Sequence, residues 1–271
     1  MTISILGCGW YGLPLAKALV NDKHKVKGST TSVDKLTLLE EASVEPFLIN
    51  LSAEEATFPD LFFDTDLLII AIPPKSRSAE GAEYLSKLQK VVERIRRHQI
   101  KRVILISSTG VYADRNCVVN EDIPPEPDTA AGKILFEAEE LFRNQTDLKT
   151  TIIRFAGLVG PERHPGRFFA GKQDIANGLA PINLIHLDDC IGITQSIIDG
   201  EAYGHTFNAV APHHPTRADF YTQATDKAGL ALPGFILKLD NWKIVESRNV
   251  PSVLGYQYQI DNWYTGLTDA F

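Results

Sequence analysis

A glycine-rich stretch near the N-terminus constrains the fold of this chain more than any other feature. It lies between the apolar run Ile3–Leu6 and the amphipathic stretch Leu13–Asn21, and it reads Gly7-Cys8-Gly9-Trp10-Tyr11-Gly12. In a strand–loop–helix unit of this kind, the first glycine permits a tight turn, the second lets a pyrophosphate approach the backbone, and the third lets the helix pack closely on the strand. The pyrophosphate then meets the positive end of the helix. We therefore predict that Gly7, Gly9 and Gly12 form a dinucleotide-binding loop.

The other residues of this loop allow more than one interpretation. Trp10 and Tyr11 are bulky. They either pack beneath the turn or, in the case of Trp10, border the cofactor, and both are included among the predicted cofactor contacts. Cys8 is interpreted as a small residue that fills the turn, with a redox-sensitive thiol as the alternative.

Short apolar runs alternate with amphipathic stretches along most of the chain. Continuous apolar strands separated by helices are typical of a parallel sheet that is covered on both faces. We therefore predict an α/β fold of the Rossmann type with a doubly wound parallel sheet. The strands are predicted at Ile3–Leu6, Val26–Ser29, Pro46–Leu51, Leu67–Ile72, Val103–Ile106 and Thr151–Phe155. The helices between them are predicted at Leu13–Asn21, Lys35–Glu41, Glu80–His98 and Lys133–Arg143.

The length of the chain, 271 residues, suffices for one large α/β domain with a smaller lobe. The alternating pattern loosens after Arg154, and towards the C-terminus the predicted helices become short while prolines recur. We predict a dinucleotide-binding domain over residues 1–160, with its sheet completed by residues 182–210. Residues 161–271 are predicted to form a small substrate-binding lobe.

The end of the second predicted strand indicates which dinucleotide is bound. NAD-binding folds usually carry a carboxylate there for the ribose 2′-hydroxyl, whereas this chain carries Thr30, Thr31 and Ser32, followed by Lys35. Hydroxyls and an ammonium group can bind a 2′-phosphate, which a carboxylate would repel. The sequence therefore favours NADP(H), with NAD(H) as the alternative because the usual arginine is missing. Further cofactor contacts are predicted where the third and fourth strands end, at Asn50, Leu51, Ala71, Ile72 and Pro73.

Three later segments follow the glycine loop in a fixed order, at Ile106–Tyr112, Arg154–Pro161 and Asn183–Asp189. Together they resemble the extended short-chain dehydrogenase/reductases, the NAD(P)-dependent epimerase/dehydratase family. The Gly-Cys-Gly-Trp loop is similar to that of a branch of small bacterial proteins often labelled nucleoside-diphosphate-sugar epimerase-like. The resemblance covers nearly the whole chain and is weakest after residue 215. It implies a sheet of about seven strands, a substrate site in a C-terminal lobe, and a hydrogen bond from Ser108, with Thr109 as its neighbour, to the substrate oxygen.

The resemblance breaks at the acid/base pair of the family, a tyrosine with a lysine four residues later on one helix face. The corresponding residues 128–139 contain no tyrosine. One register takes Lys133 as the family lysine, able to hold the ribose, and places Thr129 at the tyrosine position. The other register, which we prefer, aligns the family's glycine and glutamate and places apolar residues at both positions of the pair. Its aligned residues are Gly132 and Glu139, and its apolar residues are Ala131 and Leu135.

The substrate is predicted to be a small anionic molecule. Arg163 and Arg167 lie in a loop rich in glycine and proline, and guanidinium groups match phosphate or carboxylate with paired hydrogen bonds. Asn183 is included as a further substrate contact. The first functional hypothesis is an NADP(H)-linked oxidoreductase or epimerase that acts on a polar, phosphorylated or nucleotide-linked, carbonyl or hydroxyl compound. The alternative is a catalytically inactive NADP(H)-binding redox sensor or scaffold, which the missing tyrosine favours.

Charge and composition exclude several other classes of protein. The net charge of −7 argues against a nucleic-acid partner, and no apolar run approaches the ~20 residues of a membrane span. The N-terminus does not resemble a signal peptide, and the three cysteines fit neither a disulfide framework nor a zinc site. We therefore expect a cytoplasmic protein without a metal site, either a monomer or a homodimer.

Overall fold

The computed structural model describes residues 1–51, 58–74 and 83–266, in which helices and strands alternate. The helices are α1 (Gly12–Asn21), α2 (Leu36–Glu41), α3 (Asp60–Phe63), α4 (Tyr84–Arg97), α5 (Ala130–Arg143), α6 (Leu187–Asp199), α7 (Arg217–Lys227), α8 (Asn249–Leu254) and α9 (Trp263–Gly266). The strands are β1 (Thr2–Leu6), β2 (Lys25–Thr30), β3 (Glu45–Leu48), β4 (Leu67–Ile70), β5 (Arg102–Ser108), β6 (Cys117–Val119), β7 (Lys149–Phe155), β8 (Gly157–Val159), β9 (Leu184–His186), β10 (Thr206–Ala209) and β11 (Lys243–Val245). Within these ranges no helix has both the length and the apolar character needed to cross a bilayer.

The main sheet has seven strands in the order β10-β7-β5-β4-β1-β2-β3. Strand β1 pairs in parallel with β2 on one side and with β4 on the other, and the pairs β2/β3 and β4/β5 are parallel as well. The chain therefore winds outwards in both directions from β1, which confirms the predicted doubly wound Rossmann-type sheet. In such sheets ligands bind at the carboxyl ends of the strands, where the winding direction reverses.

The six predicted apolar runs all become strands of this sheet, although β3 lies at its edge and is only partly buried. The central strands are covered on both faces and are therefore apolar. All four residues of β4 are buried, for example. Within residues 182–210, β10 joins the main sheet as its seventh strand, whereas β9 pairs with β8 in a separate two-stranded sheet. A second small sheet, β6 with β11, is not predicted because each of its strands is only three residues long.

The chain divides into two compact units that interleave in sequence. The first contains residues 1–111, 127–153 and 197–206, and the second contains residues 112–126, 154–196 and 207–271. Each unit is assembled from three separate segments of the chain. The predicted boundary between residues 160 and 161 stays a prediction.

Each unit has its own hydrophobic core. In the first, α4 buries one face, made of Tyr84, Leu88, Val91, Val92 and Ile95, at the spacing of three or four residues that is typical of an amphipathic helix. Residues 80–82 of the predicted helix lie outside the described residues. Burying one large apolar side chain stabilises a fold by about 1.5–3 kcal/mol, so this face alone fixes α4 firmly against the sheet. The core of the second unit is centred on Phe220 and Trp263, whose ring centroids lie 5.7 Å apart.

Candidate functional site

The three glycines of the loop between β1 and α1 meet three different steric demands. Gly7 has a φ of +106°, and a Cβ atom there would lie 3.0 Å from the Ala71 carbonyl oxygen. A Cβ atom on Gly12 would lie 2.2 Å from the Gly7 carbonyl oxygen, so only glycine lets α1 begin so close to the turn. A Cβ atom on Gly9 would meet nothing within 4 Å. The backbone at Gly9 therefore borders open space, where a pyrophosphate can approach.

Ser29, near the end of β2, holds this loop in place. Its Oγ accepts a hydrogen bond of 2.9 Å from the Gly7 N–H, and its carbonyl oxygen accepts one of 2.8 Å from the Cys8 N–H. Because the Ser29 side chain is buried, its hydroxyl positions the protein backbone. Sequence reasoning missed this role, although the residue lies in the hydroxyl-rich strand end that was assigned to the cofactor.

The glycine loop opens onto a cleft of about 270 Å³ in the first unit. Ten predicted cofactor contacts line it: Gly7, Gly9, Thr30, Thr31, Lys35, Asn50, Leu51, Ala71, Ile72 and Pro73. The other four predicted contacts do not line the cleft. Tyr11 and Gly12 are buried, and Trp10 and Ser32 are half-buried. Tyr11 thus packs into the protein, which is one of the two interpretations of the bulky loop residues. The cleft lies where β1, β2 and β4 end, at the predicted edge of the sheet.

The electrostatic character of this cleft comes from hydroxyls and two ammonium groups. Thr30 and Thr31 lie beside Lys35, and Lys87 lines the cleft from α4. The Thr30 Oγ1 accepts a hydrogen bond of 3.2 Å from the Ser32 N–H, which fixes the turn after β2. No carboxylate is present among the described residues that line the cleft. The arrangement therefore suits an anionic group of a nucleotide.

The Cys8 thiol is buried beneath the glycine loop, with its Sγ 3.8 Å from the Ile5 carbonyl oxygen. Burial raises the pKa of this thiol to about 12. The nucleophilic thiolate is therefore scarce near neutral pH. These observations support the interpretation of Cys8 as a residue that fills the turn.

We expect alkylating reagents to distinguish the three cysteines of the native protein. Cys117 is exposed, whereas Cys8 and Cys190 are buried and burial raises the pKa of both thiols. Iodoacetamide at about pH 8 should modify Cys117 first and leave the other two intact until denaturant is added. Peptide mass spectrometry measures the three sites separately. Fast modification of native Cys8 would contradict its inert role.

The carboxyl end of β5 places two neighbouring serines in different surroundings. Ser107 is buried, and its Oγ donates a hydrogen bond of 2.6 Å to Oε1 of the fully buried Glu139 on α5. Ser108 is half-buried, and its Oγ accepts a hydrogen bond of 3.1 Å from the Gly110 N–H. Thr109 is buried at the start of the following turn. Of the three hydroxyls, the one on Ser108 is the most accessible to a substrate.

Helix α5 turns one face towards this strand end. A Cβ atom on Gly132 would lie 2.4 Å from the Gly110 carbonyl oxygen, so glycine is required for the contact. Leu135 and Glu139 are buried on the same face, whereas Lys133 is exposed. The Thr129 Oγ1 caps the helix by accepting a hydrogen bond of 3.0 Å from the Gly132 N–H. The buried face is the one on which the preferred register places the family's glycine and glutamate.

The phenol nearest in sequence to the Ser108 segment, Tyr112, is held in the second unit. Its hydroxyl donates to the Asn120 carbonyl oxygen at 3.0 Å and accepts from Nη1 of the buried Arg154 at 2.6 Å. Burial raises the pKa of Tyr112, and the Arg154 charge only partly opposes that effect. A third neighbour, Oδ1 of Asn208, lies 3.3 Å from the same hydroxyl. A buried phenol with a raised pKa and all these partners is suited to a structural role.

The loop that carries the two predicted arginines packs on α7. A Cβ atom on Gly166 would lie 2.4 Å from the Ala224 carbonyl oxygen, and the Thr225 Oγ1 donates a hydrogen bond of 3.0 Å to the Gly166 carbonyl oxygen. Arg163 and Arg167 are exposed on either side of this anchored turn. The turn therefore presents both guanidinium groups from a fixed backbone, and their contact with a substrate stays a prediction.

Asn183 has a structural use that the sequence did not reveal. Its Nδ2 donates to the Lys243 carbonyl oxygen at 2.9 Å, and its Oδ1 accepts from the Val245 N–H at 2.7 Å, so the side chain fastens β11. Asn183 also lines a cleft of about 330 Å³ in the second unit, together with Arg217, Tyr221 and Lys243. Its direct contact with a substrate stays a prediction.

Comparisons with known proteins agree with this geometry. A family model described as NAD(P)H-binding matches residues 7–180. The protein YeeZ of Escherichia coli K12 is 38% identical over 263 residues, which are 95% of each chain. An uncharacterized UDP-glucose epimerase, YtcB of Bacillus subtilis, is 25% identical over 240 residues, 77% of this chain and 76% of the relative.

Solved structures share the fold at lower identity. A conserved protein of unknown function from Silicibacter pomeroyi superposes with a TM-score of 0.80 at 22% identity, over 98% of this chain and 96% of the other. UDP-glucuronic acid 4-epimerase from Bacillus cereus, in complex with NAD, gives a TM-score of 0.81 at 17% identity over the same shares of 98% and 96%. At these identities the likeness concerns the fold.

Proposed function

The chain belongs to the NAD(P)H-binding proteins of the extended short-chain dehydrogenase/reductase and epimerase type, and from this we propose that it is an NADP(H)-dependent oxidoreductase or epimerase. The proposed substrate is a polar, anionic compound that reacts at a carbonyl or hydroxyl carbon. The observation that carries the proposal is the cleft beside the glycine loop, with its open space at Gly9 and its lining of hydroxyls and lysines.

The choice of NADP(H) over NAD(H) rests on the residues that follow β2. The hydroxyls of Thr30 and Thr31 and the ammonium group of Lys35 line the cleft where the adenosine ribose of a Rossmann cofactor lies. A 2′-phosphate gains charge-assisted hydrogen bonds from such groups. An NAD-specific site would instead need a carboxylate acceptor for the free 2′-hydroxyl.

Ser108 is the residue proposed to orient the substrate. A bound nicotinamide cofactor accepts or supplies a hydride at the reacting carbon. Because the Ser108 Oγ accepts its hydrogen bond from Gly110, its own hydrogen can be donated to the oxygen of the substrate. The anionic character of the substrate is inferred separately, from Arg163 and Arg167 in the second unit.

The second candidate is an NADP(H)-binding protein that senses redox state or acts as a scaffold. This candidate is favoured by helix α5. Its buried face carries Gly132 and Leu135, as the preferred register requires, and Lys133 is exposed. Without a phenol on this helix the usual proton donor is missing, and the loss of a positioned acid typically lowers a rate by about 10²–10⁴-fold. The two candidates agree on the cofactor and differ on turnover.

Titration calorimetry with NADPH and NADH tests the choice of cofactor. We expect NADPH to bind at least about tenfold more tightly, and Lys35→Met to remove most of that preference, because a charge-assisted hydrogen bond contributes about 1.5–3 kcal/mol. Equal affinities for the two dinucleotides would contradict the assignment. A second experiment separates an enzyme from a sensor. The absorbance of the bound reduced nicotinamide is followed in the presence of sugar nucleotides and other phosphorylated carbonyl compounds, and only an enzyme should oxidise it.

A further inference from the structure

We propose that Lys87, on α4, is a second specificity determinant of the cofactor site and binds the 2′-phosphate of NADP(H) together with Lys35. The inference rests on the proposed NADP(H) function and extends it to a helix that the sequence did not connect with the cofactor. Both lysines line the cleft that also contains Gly9, Thr30 and Thr31.

The position of Lys87 is fixed by the packing of α4. Tyr84, one turn earlier, is buried and donates a hydrogen bond of 3.1 Å from its hydroxyl to the Ile72 carbonyl oxygen, just after β4. Leu88, the next residue, belongs to the core of the first unit. The Lys87 side chain is consequently only 12% exposed, although it ends in a charged group. A lysine that is so largely covered needs an anionic partner.

The partner that the protein itself supplies is weak. The Lys87 Nζ lies 3.5 Å from Oε2 of Glu83, whose side chain is 57% exposed, and ion pairs with a solvated carboxylate contribute little. The described lining of the cleft offers no other carboxylate. Lys87 therefore shares its cleft with the hydroxyls of Thr30 and Thr31 and with a second lysine, an environment that a phosphate would complete.

The position of Lys87 along its helix also favours a phosphate ligand. It is the fourth residue of α4, near the positive end of the helix dipole, and no acidic residue lies in that first turn. A cation there is unfavourable unless an anion lies beside it. A phosphate at this point would interact favourably with both the ammonium group and the helix terminus. In a dinucleotide, the adenosine 2′-phosphate is the anionic group on this side, because the pyrophosphate lies over the glycine loop.

Lys87→Met tests the assignment, with Lys90→Met as the matched control. Lys90 lies on the same helix, one turn later, and does not line the cleft. Titration calorimetry with NADPH, NADH and adenosine 2′,5′-bisphosphate measures each contribution. We expect Lys87→Met to lower the affinity for NADPH and for the bisphosphate by about 10–100-fold, and the affinity for NADH by less than about threefold. Lys90→Met should leave all three affinities within about twofold of wild type.

The outcomes separate this inference from the function on which it rests. Equal weakening of NADPH and NADH in Lys87→Met would assign the lysine to the pyrophosphate and overturn the proposal, and so would unchanged affinities. A wild-type protein that binds NADH more tightly would overturn the choice of NADP(H) itself. If Glu83→Gln lowers the thermal stability as Lys87→Met does while neither changes the NADPH affinity, Lys87 serves only the ion pair and the proposal fails.

Discussion

Replacement of Gly9 by valine should abolish dinucleotide binding and leave the fold intact. A Cβ atom at this position meets no protein atom within 4 Å, and the Gly9 φ lies outside the left-handed region that favours glycine. The new methyl groups would instead occupy the space through which the pyrophosphate approaches the backbone. We expect the affinity for NADPH to fall by about 100-fold or more, equivalent to about 2.7 kcal/mol. Titration calorimetry measures the loss.

Gly12→Ala is the informative comparison for Gly9→Val. Its Cβ atom would lie 2.2 Å from the Gly7 carbonyl oxygen, so the backbone of the loop has to move before any ligand binds. Overpacking of this kind costs about 1–3 kcal/mol or more. Urea denaturation should therefore show a lower midpoint for Gly12→Ala and a nearly unchanged midpoint for Gly9→Val. If Gly9→Val still binds NADPH at wild-type affinity, the cofactor does not lie over this loop.

The features that the sequence predicts well are those that depend on neighbouring residues. The apolar runs of β1 and β4 follow from burial on both faces of a sheet, and the helical spacing of Leu88 and Val91 follows from a single buried face. The glycine loop is equally local, because Gly7 and Gly12 meet constraints set within one strand–turn–helix unit. These predictions could be made without knowing how distant segments meet.

The features that could not be predicted from the sequence depend on contacts between distant segments. Lys87 reaches the cleft only because Tyr84 fastens α4 to the residues after β4, and neither residue has a local pattern that indicates a ligand. The side chain of Asn183 is occupied by β11, some 60 residues later in the chain. The two registers at α5 could not be separated by spacing alone, whereas the burial of Glu139 and the exposure of Lys133 distinguish the faces of the helix.

Ser107→Ala and Ser108→Ala should have opposite consequences although the two residues are adjacent. Ser107 donates to the fully buried Glu139, and the loss of a buried hydrogen bond to a carboxyl group costs about 1.5–3 kcal/mol of unfolding free energy. Ser108 only accepts from the Gly110 N–H, so its loss should cost about 0.5–1 kcal/mol. Urea denaturation of both variants measures this difference without any knowledge of the substrate.

The same pair of variants decides whether the chain is an enzyme. If Ser108 donates to the reacting oxygen, Ser108→Ala should lower kcat by about 10²–10³-fold, the usual effect of removing one donor that stabilises developing charge, and should leave the affinity for NADPH within about twofold of wild type. Ser107→Ala should keep most of its kcat at temperatures where it remains folded, because its hydroxyl is already engaged by Glu139. Full turnover by Ser108→Ala would remove Ser108 from the substrate site. If the wild-type protein binds NADPH and yet oxidises it with none of the tested carbonyl compounds, that result would favour the sensor. The structural reason would be that the buried face of α5 carries glycine and leucine, and no phenol as proton donor, beside the end of β5.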